Sequence, residues 1–177
     1  MEYKVPLGYF LSRDVKDPAY GTPFAGCLDF FVPQFDDRFM EDFAKKNPKF
    51  DNVQLETMRN HGVIVLSPGD DACIPSGVHA RLEPNTALTA FNKSGVATKL
   101  RLVRGAEYVD EDYQGEIHLH VINVGRDTVT VEAGQKIVQF SYVPVLRAQL
   151  QKCGSREELY PQTTGRGENW QGSTGTK

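Results

Sequence analysis

The sequence predicts an all-β fold, a sandwich or barrel of short strands interrupted by one short helical insertion. Three observations carry this. Short alternating or apolar runs recur at regular spacing along most of the chain, and nearly every run is closed by Gly, Pro, Asp, Asn or Ser. One stretch, from about 35 to 61, shows helical spacing instead. At 177 residues and 40% hydrophobic, the chain is long and apolar enough to build one domain with its own core.

Taken in order, Phe35 to Asn47 reads as a helix. Asp36 or Asp37 can cap it, Phe39, Met40 and Phe43 fall on one face, and Asn47-Pro48 stops it. A second helix is expected within Phe50 to His61. Asp51 or Asn52 is its cap, Val53, Leu55 and Met58 are its apolar positions, and Gly62 is its stop. The apolar side of this insertion is expected to pack on its own barrel, with docking of a partner protein on the Phe39/Phe43 face as the sharper alternative. Val63-Ile-Val-Leu66 is a strand stopped by Ser67-Pro-Gly-Asp70, and Ile74-Pro-Ser-Gly77 is a turn. Strands are then expected at Val78 to Leu82, Thr86 to Phe91, Lys99 to Val103, Ile117 to Asn123, Asp127 to Glu132 and Ile137 to Val143. The tail from Gln162 is rich in Gly, Ser and Thr and reads as a flexible end. The expected organisation is a β domain over 1–160 and a flexible arm over 161–177.

Bulk properties remove several function classes. The net charge of −3 advertises no basic surface for a nucleic-acid backbone, so phosphate binding must be local. Cys27, Cys73 and Cys153 are odd in number, lack metal-ligand spacing and read as buried or free thiols in a reducing cytosol. No run is long enough to span a membrane and the first residues have no apolar leader core, so a cytoplasmic protein is expected.

The chemistry gathers at Gly105-Ala-Glu-Tyr-Val-Asp-Glu-Asp-Tyr-Gln-Gly115. Asp110 and Asp112 sit beside Tyr113 between glycines. A tight acidic hairpin with an aromatic ring offers an apolar face, a base and fixed backbone donors, a set that suits a nucleoside carrying a reacting phosphate. Asn92-Lys93-Ser94-Gly95 follows a strand and can open a short helix, whose first N–H groups point at an anion. Gln139 lies mid-strand, where a buried amide needs a partner. Arg166, Trp170 and Gly172-Ser-Thr-Gly175 could make a flexible phosphate clamp.

Five segments in order resemble the five motifs of the trimeric dUTPase family, its viral and phage-like members in particular. They are Pro18-Ala-Tyr-Gly-Thr-Pro23 with Gly26-Cys-Leu-Asp29, Lys93-Ser-Gly-Val-Ala97, Tyr108-Val-Asp-Glu-Asp-Tyr-Gln-Gly115, Gly134-Gln-Lys-Ile-Val-Gln139, and Arg166-Gly167 with Gly172-Ser-Thr-Gly175. The resemblance spans about residues 15 to 34 and 62 to 177. It implies a distorted jelly-roll β-barrel, a homotrimer with shared sites, and hydrolysis of dUTP to dUMP and pyrophosphate. That reaction limits uracil in DNA and supplies dUMP for dTMP synthesis. By position, Asp110 is the base that deprotonates the attacking water. Tyr113 is the ring under the deoxyribose, excluding a 2′-hydroxyl. The hairpin backbone from Ala106 to Val109 reads the uracil edge. Ser94, the Gly95 amide and Gln139 contact phosphates. Arg166, Ser173 and Thr174 form the clamp of the arm. Asp29 is a supporting residue or a hydrogen-bonded structural acid. Mg²⁺ is implied, held through substrate phosphates and water with no direct protein ligand.

The chain departs from the family pattern in three places. Lys93 stands where Arg is usual, keeping the charge and losing the planar fork. Gly26-Cys27 stands where Ala-Gly is usual. Gln171 aligns with the Phe that stacks on uracil, with Trp170 one place earlier as the expected substitute ring unless the lid works differently. His118 and His120 share a strand face with Glu116, open to a metal or to a solvated or interface pair. Two rivals remain: an enzyme of the related dCTP deaminase branch, which shares the fold, and a regulatory protein of this fold acting through the helical insertion.

Overall fold

In the computed structural model the described residues are 4–165, 167 and 168. The chain divides into a compact unit, Met1–Val145, and a second unit, Leu146–Lys177. The first holds strands β1 (Gly8–Leu11), β2 (Ala19–Tyr20), β3 (Leu28–Asp29), β4 (Val63–Leu66), β5 (Asp71–Pro75) and β6 (Val78–Arg81). It continues with β7 (Thr86–Asn92), β8 (Leu102–Arg104), β9 (Tyr108–Val109), β10 (His118–Asn123), β11 (Val129–Glu132) and β12 (Val138–Pro144). Two helices, α1 (Asp37–Lys46) and α2 (Asn52–His61), form the insertion. The second unit carries a one-turn helix, α3 (Arg156–Leu159), capped by Ser155, and an Arg156–Glu168 ion pair at 2.5 Å.

Every ladder described is antiparallel. The largest sheet runs β2-β3-β12-β7-β9, a second runs β5-β10-β8, and β1 pairs with β6 and β4 with β11. Strand neighbours far apart in sequence give the jelly-roll winding. Alternation places Leu119, Val121 and Asn123 of β10 inside, and Ala87, Leu88 and Ala90 of β7 are also buried. Phe30 and Phe140 meet in this core at 4.5 Å between ring centroids.

The insertion completes the core. Asp36 caps α1 through Phe39 N–H at 2.7 Å, and Asp51 and Gln54 form a reciprocal capping box on α2. Phe39 and Phe43 are fully buried, Met58 nearly so, and Phe50 meets the Phe43 ring edge-on at 5.0 Å. The Phe39/Phe43 face, the sequence's candidate for docking a partner, is therefore filled by the protein's own core. Asn47 closes the insertion onto the sheet. Its side chain accepts Cys73 N–H at 2.7 Å and donates to Cys73 C=O at 3.0 Å, acting as a strand partner for the edge of β5.

Several sequence expectations are corrected. Val53 is 72% exposed, because five helical positions turn it about 140° from Met58. The strand expected over Lys99 to Val103 starts only at Leu102. Val96–Leu100 is a π-helical turn, committed by Ala97 N–H to Lys93 C=O (2.9 Å) and by Thr98 Oγ1 to Ser94 C=O (2.7 Å). Leu100, inside the expected strand, is left exposed while Leu102 is buried. Ile74 and Pro75 belong to β5, so the turn there begins at Ser76. No helix among the described residues is long and apolar enough to cross a membrane.

Candidate active site

The site residues anticipated from sequence fall into two clusters. The first is built on the hairpin before β10. Tyr113 N–H bonds Asp110 C=O at 3.2 Å, so the base candidate and the aromatic ring share one turn. The Tyr113 hydroxyl donates to Glu116 C=O at 2.9 Å, fixing the ring on its own hairpin while 44% of it stays exposed. Gly115 is required here, since a Cβ would overlap the Tyr113 ring end. The hairpin is tied to the large sheet by β9 pairing with β7 and by Ala90 N–H to Glu107 C=O at 2.7 Å. Ala106, Val109, Asp110 and Tyr113 line a cavity of about 170 Å³, floored by Ile117 and Phe140. Asp110 is exposed at its rim.

One anticipated contact is changed. Ala106 N–H is taken by His120 Nδ1 at 2.8 Å, so Ala106 lines the cavity without offering that donor. His120 Nε2 lies 3.0 Å from Asp71. An accepting Nδ1 places the ring proton on Nε2, facing the carboxylate. With both ring nitrogens engaged and Glu116 turned to Arg13, the His118/His120/Glu116 face does not form a metal site. Burial holds the His118 imidazole below its ordinary range. Among the described residues no group of three His, Cys, Asp or Glu is placed to hold a metal.

Arg13 was not singled out by sequence, and Glu116 was considered only beside His118 and His120. Arg13 forks onto Glu116 at 2.7 and 2.8 Å and reaches Asp42 of α1 at 2.6 Å. Glu116 also accepts Gly77 N–H at 2.6 Å. Burial pushes the Glu116 carboxyl up, and the Arg13 fork with the Gly77 N–H more than offsets this, leaving it below the usual carboxylate range. The Arg13 guanidinium is raised, chiefly by Glu116, and its Nη1 is buried without a partner. Nothing in the local sequence marks Arg13, which meets Glu116 across 103 residues.

The second cluster surrounds Asp29, which is 4% exposed. Its carboxylate accepts Lys93 Nζ on one oxygen and Lys136 Nζ, at 2.9 Å, on the other. Burial raises this carboxyl, and the two lysines outweigh it and hold the group below its ordinary range. Lys93, Lys136, Gln139 and Asp29 line a second cavity of about 330 Å³ together with the Gly21 to Cys27 loop. Gln139 donates to Asn92 C=O at 3.0 Å. Ser94 and Gly95 are exposed at the opening of the helical turn beside Lys93. Lys136 was passed over although it lies inside the Gly134 to Gln139 motif. Arg166, Trp170, Ser173 and Thr174 lie outside the described residues.

The two cavities share no lining residue. Gln139 lines one and Phe140 the other, and neighbouring residues of β12 point to opposite faces of the sheet. A further cavity of about 530 Å³, lined by Leu28, Phe30, Val78 and Tyr142, contains no carboxylate and neither cluster.

The chain is similar to known proteins. The dUTPase family model matches residues 59–172. The deoxyuridine 5'-triphosphate nucleotidohydrolase of Salmonella arizonae is 31% identical over 119 residues, covering 66% of this chain and 75% of that protein. The enzyme of the same name from Caldanaerobacter subterraneus is 36% identical over 91 residues, covering 50% of this chain and 62% of its own length. Among solved structures, a mutant dUTPase of Staphylococcus bacteriophage 80alpha with dUpNHpp superposes with a TM-score of 0.73 at 17% identity, covering 97% of this chain and 99% of that one. A mutant dUTPase of phage phi11, described with a structural Mg(II) ion, gives 0.65 at 17% identity over 86% of this chain and 99% of that one. With a family model matched over well more than half its length, the chain belongs to the dUTPase family.

Proposed function

We propose that this protein hydrolyses dUTP to dUMP and pyrophosphate. The observation that carries the reading is the single turn holding Asp110 and Tyr113 at the rim of one cavity, with a dilysine cradle on Asp29 in another. Asp110 accepts a proton from a water whose oxygen attacks the α-phosphorus. The bond from that phosphorus to the α,β-bridging oxygen breaks, and the electron pair leaves on pyrophosphate. The Tyr113 face packs under the deoxyribose and leaves no room for a 2′-hydroxyl. Backbone groups of the hairpin near Val109 read the uracil edge. Lys93, Ser94, the Gly95 amide and Gln139 hold and neutralise the phosphates, joined by Lys136. Arg166, Ser173 and Thr174 of the 161–177 arm are assigned to the outer phosphates, and Trp170 to stacking on the base.

Mg²⁺ fits this donor set when carried by the substrate. The Asp29 carboxylate is committed to two ammonium groups, so the phosphates and water supply the ligands. The bound ion would neutralise phosphate charge and orient the triphosphate.

A homotrimer is part of the proposal. The two cavities share no lining residue and take adjacent residues of β12, and in this reading one triphosphate spans the first cavity of one subunit and the second of its neighbour. Pyrophosphate release from dUTP, dCTP, dTTP and UTP with Mg²⁺ tests the reading. Release from dUTP alone is expected. Ammonia from dCTP would move the chain to the deaminase branch, and no release from any nucleotide would remove the enzymatic reading.

A further inference from the structure

Two chains of side-chain contacts run from the helical insertion to opposite walls of the first cavity. One starts at Asp42 of α1. It passes through Arg13 (2.6 Å) to the Glu116 carboxylate (2.7 and 2.8 Å), whose own backbone C=O receives the Tyr113 hydroxyl at 2.9 Å. The other starts at Lys49, in the link between α1 and α2. It pairs with Asp71 of β5, which faces His120 Nε2 at 3.0 Å, and His120 Nδ1 holds Ala106 N–H at 2.8 Å. The imidazole also packs so closely on Gly105 that a Cβ there would overlap the ring. The first path ends on the ring assigned to the sugar, the second on the hairpin assigned to the base.

We propose that the helical insertion braces the nucleoside pocket through these two paths, with Arg13 and His120 as positioning residues for sugar and base selection. The inference rests on the assignment of that cavity to a deoxyuridine nucleotide. The physical reason is that discrimination against one hydroxyl or one exocyclic amine depends on placement at the sub-ångström level. Exposed hairpins hold such placement only when their anchors are themselves fixed. Arg13 is fixed by burial and by two carboxylates from different elements. His120 is fixed by a carboxylate already oriented by Lys49. Neither residue carries the reacting group.

The two paths predict different losses. Asp42→Asn, on the insertion and away from the cavity, should lower the dUTP-to-UTP ratio of kcat/KM about tenfold while the dUTP-to-dCTP ratio stays. His120→Ala should lower the dUTP-to-dCTP ratio by a similar factor. His120→Asn, whose amide oxygen can still accept Ala106 N–H, should recover most of it. Lys49→Ala should follow His120→Ala more weakly. Arg13→Ala would take the charged partner from the part-buried Glu116 carboxylate and can fail to fold, so Asp42→Asn decides that path. Affinities of wild type and variants for dUMP, UMP and dCMP, measured by calorimetry, supply a readout independent of turnover. If wild type hydrolyses dUTP and the variants keep both ratios while losing only thermal stability, the brace is wrong and the enzymatic reading stands. Wild type that binds dUMP selectively without hydrolysis, with selection lost in the variants, would leave the brace standing and remove the reading. Wild type that binds no nucleotide would remove both.

Discussion

A carboxylate shared by two lysines organises, at the scale of single residues, the cluster proposed to hold phosphate. Asp29 is buried and neutralised, so it aligns Lys93 and Lys136 at the mouth of the cavity rather than repelling a polyanion. Lys136→Ala is expected to raise KM for dUTP about tenfold or more, the worth of one charge-assisted hydrogen bond, checked by steady-state kinetics. Gly115→Ala is expected to displace the Tyr113 ring and to cost about 1–3 kcal/mol of stability, measured by urea denaturation, together with a rise in KM for dUTP. That Asp110 and Tyr113 line one cavity and Lys93 and Gln139 another was foreshadowed in sequence because each stands in a motif with its own chemical reason. Lys136 stood in such a motif and was hidden by its ordinary surface character. The contacts of Arg13 and His120 were not legible, since their partners lie 103 and 14 residues away, and His120 was read only as half of a His pair.

Among the elements, the insertion is a core component. Phe43 is fully buried between Phe39 and Phe50. Phe43→Ala is expected to cost about 3–5 kcal/mol, and Asp36→Ala, removing the α1 cap, about 1 kcal/mol, both from urea midpoints. The helices were legible because caps, apolar spacing and the Gly62 stop agree, and that glycine does take a left-handed conformation (φ 66°). The two-residue strands β2, β3 and β9 were not, since a ladder that short leaves no periodicity to read. The π-helical turn was misread for a different reason. Leu100 and Leu102 are two apart, and alternation alone cannot show that side-chain and backbone bonds from Thr98 and Ala97 hold the preceding residues in a coil.

For the whole molecule, the charged contacts set its response to acid. Asp29, Asp42, Asp71 and Glu116 all sit below their ordinary range, held by Lys93 and Lys136, by Arg13, by Lys49 and His120, and by Arg13 with Gly77. Each binds its proton more weakly folded than unfolded. Their contribution is complete above the unfolded value of about 4 and is lost as pH falls through the folded values. His118, neutral by burial, adds a loss that begins as pH drops below about 6.5, where the unfolded chain takes up its proton. The urea midpoint should therefore decline gently below that pH and steeply below about 4; a midpoint flat down to pH 3 would contradict these contacts. The two cavities share no lining residue, which is the structural support for the proposed trimer with shared sites. Sedimentation should give three copies, and a mixture of Asp110→Asn and Lys93→Ala subunits should recover activity that neither has alone. The most direct test of the central claim is the rate of pyrophosphate release from dUTP by Asp110→Asn beside wild type, with dUMP affinity measured on both. A rate lower by about a thousandfold with dUMP affinity unchanged is the expected result. A rate within a few-fold of wild type would contradict the assignment of Asp110 as the base.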